Sequence, residues 1–150
     1  MKLRVVWITP KSRSKEPAYD TLTREYVARI GKYHPIEASD LPSEAALIKL
    51  QERSAGRTTP VLVLLDNRGK EMTSEQLAGF IEAQQSADAQ QLIFAIGPAD
   101  GFNDATRKSA SKLISFGKMT LPHELARVVL LEQIYRAFTI LKKHPYHCGH

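Results

Sequence analysis

Two unbroken apolar runs, Val61–Leu65 and Leu92–Ile96, dominate the pattern of the chain. Neither alternates with polar residues, which is the pattern of strands covered on both faces of a parallel sheet. Leu3–Thr9 is β-branched and apolar and reads as a further strand, ended by Pro10. Ile36–Ala38 and Leu113–Phe116 read as short strands. Between them the apolar spacing turns helical. Leu22, Tyr26, Val27 and Ile30 predict a helix over Ala18–Tyr33, closed by Gly31 and Pro35. Leu47, Ile48 and Leu50 predict one over Pro42–Ala55, stopped by Gly56. Thr73 and Gln76 have capping-box spacing for a helix reaching about Ser86. A polar helix follows over Asn103–Lys112, and Pro122 suits the first position of a last helix over 122–143. Strands alternating with helices predict an α/β fold, a mostly parallel sheet with helices on both faces. In such sheets ligands bind at the strand carboxyl ends. The loops there begin at Asp66, Gly97 and Phe116.

The last helix carries one narrow polar stripe, Glu132, Arg136, Thr139 and Lys143. Nearly everything else from Leu125 to Leu141 is apolar, so the helix must be covered on two sides. One cover is its own sheet. The other is either a second subunit, giving a homodimer, or further helices of a central position within one chain.

Length and charge narrow the picture. The chain has 150 residues, 43% apolar and 25% charged, which suits one globular domain without repeats or linkers. No apolar run is long enough to span a membrane, and the basic start is interrupted by Arg4 before any signal-type stretch. A single cysteine, Cys148, allows no internal disulfide, and a reducing cytoplasm is the expected setting. The net charge is +5, unevenly spread: residues 1–34 carry +5, residues 35–106 carry −6 and residues 107–150 carry +6. Basic ends around an acidic middle point to a polyanionic partner on a folded surface. Lys2, Arg4, Lys11, Arg13, Lys15, Lys108 and Lys112 are candidates for phosphate contacts.

The chemistry-bearing motifs are individually weak. Gly97-Pro98-Ala99-Asp100-Gly101 follows a strand but matches neither glycine-rich nucleotide signature, and Pro98 removes a backbone donor. The tail His144-Pro145-Tyr146-His147-Cys148-Gly149-His150 could bind zinc, although terminal ligands must still converge tetrahedrally. No metal site is expected there. Asp66 and His123 would suit a generic hydrolase, with a turn residue as the plainer reading of Asp66. Arg136 is either an ion-pair partner of Glu132 or an anion contact. Trp7 reads as core.

Taken together, three segments resemble one family. Thr120-Leu121-Pro122-His123-Glu124-Leu125-Ala126-Arg127-Val128, Glu132-Gln133-Ile134-Tyr135-Arg136-Ala137 and His144-Pro145-Tyr146-His147 are similar to the RlmH-type methyltransferases. These are the 23S rRNA pseudouridine-1915 N3-methyltransferases of the SPOUT superfamily. The Leu64-Leu65-Asp66 and Ile96-Gly97 segments fall in family order, and the resemblance covers essentially the whole chain, as a single domain over 1–150. It implies a C-terminal trefoil knot, a homodimer and S-adenosylmethionine as cofactor. By motif match the cofactor contacts fall at Leu65, Gly97 and Pro98, and along Gly117, Lys118, Met119, Thr120, Leu121 and Pro122. Arg136, Tyr146 and His147 are then the catalytic candidates, facing the RNA and the partner subunit's cofactor. The chain departs from the family at Pro98, where a second glycine is common. It departs again at Cys148, where a basic residue often stands, leaving His150 as a substitute.

The implied function is methyl transfer to N3 of a pseudouridine in large-subunit rRNA, on the ribosome and in the cytoplasm. Arg136 would stabilise developing negative charge or a phosphate, and Tyr146 and His147 would stack on the RNA or accept a proton. A ribosome-binding module without catalysis and a small metal-dependent hydrolase are the competing readings.

Overall fold

The computed structural model describes residues 1–9, 16–54 and 56–148. The chain runs β1 (Lys2–Ile8), α1 (Pro17–Gly31), β2 (Ile36–Leu41), α2 (Glu44–Arg53), β3 (Val61–Glu71), α3 (Ser74–Ser86), β4 (Gln91–Ile96), α4 (Asp104–Ser109), β5 (Lys112–Ser115) and α5 (His123–Leu141). The five strands form one sheet in the order β2-β1-β4-β3-β5, with every pairing parallel.

The unbroken apolar runs have the physical cause expected of them. Successive strand side chains point to opposite faces. Val63, Leu92, Phe94 and Ile96 enter one buried cluster with Ile30 of α1, Leu77 and Ile81 of α3, and Leu130, Leu131, Ile134 and Phe138 of α5. Their neighbours Leu62, Leu64, Ile93 and Ala95 enter the other, with Leu47 and Leu50 of α2 and Phe102.

The helix signals also act locally. The Thr73 hydroxyl accepts from the Gln76 backbone N–H at 3.1 Å, and the Gln76 side-chain Oε1 accepts from the Thr73 N–H at 2.8 Å, completing the capping box of α3. Ser43 caps α2 and Asn103 caps α4. Glu44 accepts from the Asn103 N–H at 2.9 Å and its side-chain amide at 3.2 Å, tying the starts of those two helices together.

Several expectations need correction. Pro122 is the N-cap of α5 rather than its first residue, since its ψ of 139° is not helical. Lys143 lies beyond the helix, which ends at Leu141. The loop expected to begin at Asp66, with Asp66 as its turn residue, instead continues β3 through Asp66–Gly69 to Glu71. Trp7 is half-buried against the core, with the Arg127 guanidinium 4.5 Å above its ring. The apolar girth of α5 is met within the chain, by the sheet beneath and by α1 and α3 packed against it. That helix therefore gives no argument for a second subunit.

The junction of β3 and β5 is unusual. Ile114 is the register partner of both Leu65 and Lys70, so Asp66–Gly69 forms an excursion between two pairings with one residue. A Cβ on Gly69 would lie 2.5 Å from the backbone of Ile114, a distance that only glycine tolerates. Gly69→Ala should therefore destabilise the fold by at least about 3 kcal/mol, because backbone cannot move aside as a flexible side chain can. Gly79→Ala in α3, where a Cβ meets nothing within 4 Å, should stabilise by about 0.5–1 kcal/mol. Urea unfolding midpoints of the two variants check both signs.

Candidate active site

The mid-strand excursion of β3 and the carboxyl ends of β4 and β5 open into one cavity of about 840 Å³. Its walls are Leu65–Arg68 after the first pairing of β3, Ile96–Gly101 after β4, Ser115–Pro122 after β5, and His123 and Ala126 at the start of α5. The three loops predicted from the apolar runs meet here. So do Leu65, Gly97, Pro98, Gly117, Lys118, Met119, Thr120, Leu121 and Pro122, which sequence alone had only assembled by resemblance. The size falls within the range of roughly 300–1,000 Å³ usual for small-molecule and cofactor sites.

Each wall has a local cause. After β4, the Pro98 carbonyl accepts from the Gly101 N–H at 2.9 Å, closing a tight turn. Proline thus gives up a donor but keeps a structural acceptor. A Cβ on Gly97 would approach the Phe102 ring to 3.0 Å, so any larger residue there has to push that ring aside. After β5, the Ser115 hydroxyl accepts from the Gly117 N–H at 3.1 Å and donates to the Gly117 carbonyl at 3.0 Å. The loop beyond presents Met119, 89% exposed, and Phe116, 38% exposed.

The floor holds an ion pair. Arg107 Nε donates to Asp66 Oδ2 at 2.8 Å, and the Arg68 N–H donates to Asp66 Oδ1 at 2.8 Å. Arg107 Nη1 also reaches Asp104 Oδ1 at 3.1 Å. Burial alone would raise the Asp66 carboxyl. The hydrogen bonds from Arg107 and Arg68 and their positive charges outweigh it and hold the carboxyl below the usual aspartate range. Asp66, within β3 rather than in the turn expected for it, is an ion-pair partner of Arg107. His123, on the same cavity, lies 3.3 Å from Glu124. The pairing of Asp66 was hidden in the sequence because Arg107 lies 41 positions away.

The catalytic candidates form a second group, apart from that cavity. Arg136 donates to Glu132 Oε1 from Nε at 3.0 Å and from Nη2 at 2.6 Å, and its Nη1 lies 3.0 Å from His147 Nδ1. Tyr146 donates to the same carboxylate oxygen at 3.0 Å. His147 Nε2 reaches Glu75 Oε1 at 2.5 Å, linking the tail to the start of α3. Burial, followed by the hydrogen bond to Glu132, pushes the Tyr146 phenol up to about 12. Of the two readings of Arg136, the structure shows the ion pair with Glu132. Sequence reasoning missed Glu75, which only the fold brings to the tail. Arg136 lies ten residues along α5 from the cavity-lining Ala126, about 15 Å at the helical rise. Arg136, Tyr146 and His147 thus come together with one another but not with the cavity of their own chain.

Other expectations fare variously. Lys2 and Arg4 pair with Glu37 at 3.3 and 3.4 Å, and the Lys112 ammonium sits 5.4 Å above the Phe80 ring. Lys108 is exposed. Lys11, Arg13, Lys15 and His150 lie outside the described residues. Among the described residues no group of three His, Cys, Asp or Glu side chains is placed to hold a metal ion. No helix among them is long and apolar enough to cross a membrane.

The fold has counterparts among solved methyltransferases. The SpoU methyltransferase AviRb from Streptomyces viridochromogenes, solved in complex with AdoMet, superposes with a TM-score of 0.52 at 18% identity, over 89% of this chain and 56% of that one. A probable methyltransferase from Bordetella pertussis Tohama I superposes with a TM-score of 0.59 at 11% identity, over 91% and 93% of the two chains. At such identities the likeness shows the fold alone.

Sequence comparison is more specific. The family described as predicted SPOUT methyltransferase matches residues 1–147. The ribosomal RNA large subunit methyltransferase H of Koribacter versatilis (strain Ellin345) is 57% identical over 150 residues, covering all of both chains. The protein of that name from Geotalea uraniireducens (strain Rf4) is 41% identical over 155 residues, covering 98% of this chain and 99% of its own. The chain belongs to the ribosomal RNA large subunit methyltransferase H family of SPOUT methyltransferases.

The Asp66 pair generates a pH prediction. A carboxyl held below its unfolded value stabilises the fold above the unfolded pKa, and that contribution is lost as pH falls through the folded one. The wild type should exceed Asp66→Asn in stability at pH 7, and the gap should close as pH drops below the usual aspartate range. Urea titrations of both proteins across that range test it.

Proposed function

We propose that the chain transfers the methyl group of S-adenosylmethionine to N3 of a pseudouridine, position 1915, in 23S rRNA, acting on the ribosome in the cytoplasm. On this reading residues 1–150 form a single SPOUT methyltransferase domain, knotted as a trefoil in its C-terminal part and without a separate RNA-binding domain. The observation that carries the reading is the cavity. The residues that the family resemblance assigns to the cofactor surround one space of about 840 Å³ at the excursion of β3 and the carboxyl ends of β4 and β5.

The cavity fits the cofactor in kind as well as size. Leu65, Ile96 and Leu121 offer apolar surface, while the turns at Gly97–Gly101 and Gly117–Thr120 offer backbone polar groups. Leu65, Gly97, Pro98 and Gly117–Pro122 would hold it. Bound there, S-adenosylmethionine supplies an electrophilic methyl group on a sulfonium. Every other contribution comes from the chain. Arg136, fixed by two hydrogen bonds to Glu132, presents a permanent positive charge toward RNA phosphate or toward negative charge developing on the substrate ring. Tyr146 remains a neutral phenol at physiological pH, so it positions and stacks rather than removing the N3 proton. His147, between Arg136 and Glu75, is the candidate for receiving that proton.

The separation of Arg136 from its own cavity supports a homodimer in which the tail of one copy serves the cavity of the other. The exposed Met119 and Phe116 beside the cavity give such a partner an apolar surface to cover.

The test is transfer of labelled methyl from S-adenosylmethionine to ribosomes lacking the modification, with large subunits and naked rRNA for comparison. Label at one pseudouridine of large-subunit rRNA is the expected result. Cofactor binding without transfer to any of these substrates would favour the non-catalytic module instead. Arg136→Ala should lower the transfer rate by about 100-fold, with cofactor affinity in calorimetry unchanged. The pH–rate profile of Tyr146→Phe should keep the wild-type shape between pH 6 and 10, because a group titrating at about 12 contributes no limb there.

A further inference from the structure

A second, smaller cavity of about 270 Å³ has no part in the site described above. Its walls are Arg29, Lys32 and Tyr33 at the end of α1, Tyr135 of α5, and His144 just beyond α5. The lining side chains are two cations, two phenols and an imidazole, with no carboxylate among them. Arg29 is held by Glu25 at 2.6 Å and lies over the rings of Tyr26 and Tyr135, at 5.2 and 5.7 Å from their centroids. Lys32 is exposed.

Two features show that this arrangement is built. First, Tyr135 is a shared wall. Its ring stands 6.2 Å from Tyr33 on the cavity side, and 4.7 Å from Tyr146, edge to face, on the side of the Arg136 cluster. Second, the helix end is shaped to bring His144 to the cavity. The His144 N–H reaches the Thr139 carbonyl at 2.9 Å and the Lys143 N–H reaches Ile140 at 3.1 Å, the paired bonds of a Schellman ending. Lys143 occupies the left-handed position there, with φ of 56°, where glycine is the unstrained choice. His144 Nδ1 then accepts from the Tyr146 N–H at 3.2 Å, which leaves Nε2 to carry the proton of the neutral ring.

We propose that this cavity is a phosphate-binding subsite for the RNA substrate. Arg29, Lys32 and His144 hold one backbone phosphate, and Tyr33 and Tyr135 form the aromatic floor under the adjoining nucleotide. Cations interleaved with exposed aromatic faces are the recurring means of holding single-stranded nucleic acid. The volume is below the roughly 300 Å³ at which cavities enclose whole small molecules, so it suits a phosphate with its sugar rather than a swallowed nucleotide. The shared Tyr135 places that phosphate one ring away from Tyr146 and Arg136. The proposal rests on the methyltransferase reading and deepens it by naming where the substrate strand is gripped outside the reacting base.

The experiment is methyl transfer to unmodified large subunits as a function of substrate and salt. Lys32→Gln should raise KM about 5-fold and flatten the logarithmic salt dependence by about one unit, the share of one phosphate contact. Lys143→Gly, which keeps the left-handed geometry that brings His144 to the cavity, should leave KM unchanged while increasing the thermal midpoint by relieving the left-handed lysine. Lys49→Gln, an exposed site on α2 across the sheet, serves as the unchanged control. Calorimetric affinity for S-adenosylmethionine should match wild type throughout. Unchanged KM and salt slope in Lys32→Gln, with wild type active, would overturn this proposal alone. So would a Lys32→Gln protein whose sedimentation differs from wild type, since the cavity would then be a contact between copies. Absence of label with the wild type would overturn the methyltransferase reading and this subsite with it.

Discussion

The close passage of β3 against β5 is the constraint from which the site follows. Two residues of β3, Leu65 and Lys70, take the same partner, Ile114, and the backbone between them must fold outward. That excursion carries Asp66 and Arg68 to the cavity, and the same crossing sends the chain after Ser115 around its far wall. Gly69 allows the approach, and the Asp66–Arg107 pair fastens the excursion to α4. Loosening this crossing would displace two of the three loops that shape the cavity, while leaving most of the hydrophobic core in place.

The two halves of the chemistry are placed by different physics. The cavity is formed by the excursion of β3 and the loops after β4 and β5, so its character depends on loop geometry. That suits a cofactor bound chiefly by turns. The Arg136 cluster is the opposite case. One carboxylate, Glu132, gathers an arginine and a tyrosine, and Glu75 anchors the histidine that follows. α5 spans both, its start at the cavity and its end at the cluster, and its rigidity keeps them about 15 Å apart within one chain. A helix cannot bend back to unite them. The union proposed here therefore comes from a second copy.

Much of the fold was legible because burial on both sheet faces writes itself into Val61–Leu65 and Leu92–Ile96. Capping chemistry at Thr73 was equally legible, being local. What sequence patterning could not show were contacts between distant positions. Asp66 with Arg107, His147 with Glu75 and Gly69 against Ile114 each join segments more than 40 residues apart. The apolar girth of α5 was read correctly as two-sided, but whether its cover was α1 and α3 or another molecule depends on packing that periodicity does not encode. The residues proposed to hold the cofactor became visible through family motifs, since loops such as Gly117–Pro122 match no general cofactor signature of their own.

The most direct test of the account is complementation between two defective chains. One carries Arg136→Ala, which disables the cluster, and the other carries Gly97→Val, which forces the cavity wall against Phe102. If cavity and cluster of a working site come from different copies, co-refolded mixtures contain dimers with one intact site. Methyl transfer to unmodified large subunits should then recover to about a quarter of the wild-type rate per chain, half the chains pairing unlike and each such pair holding one site of two. Mixtures no more active than the two variants apart, with mixed dimers shown to form, would contradict a site shared between copies.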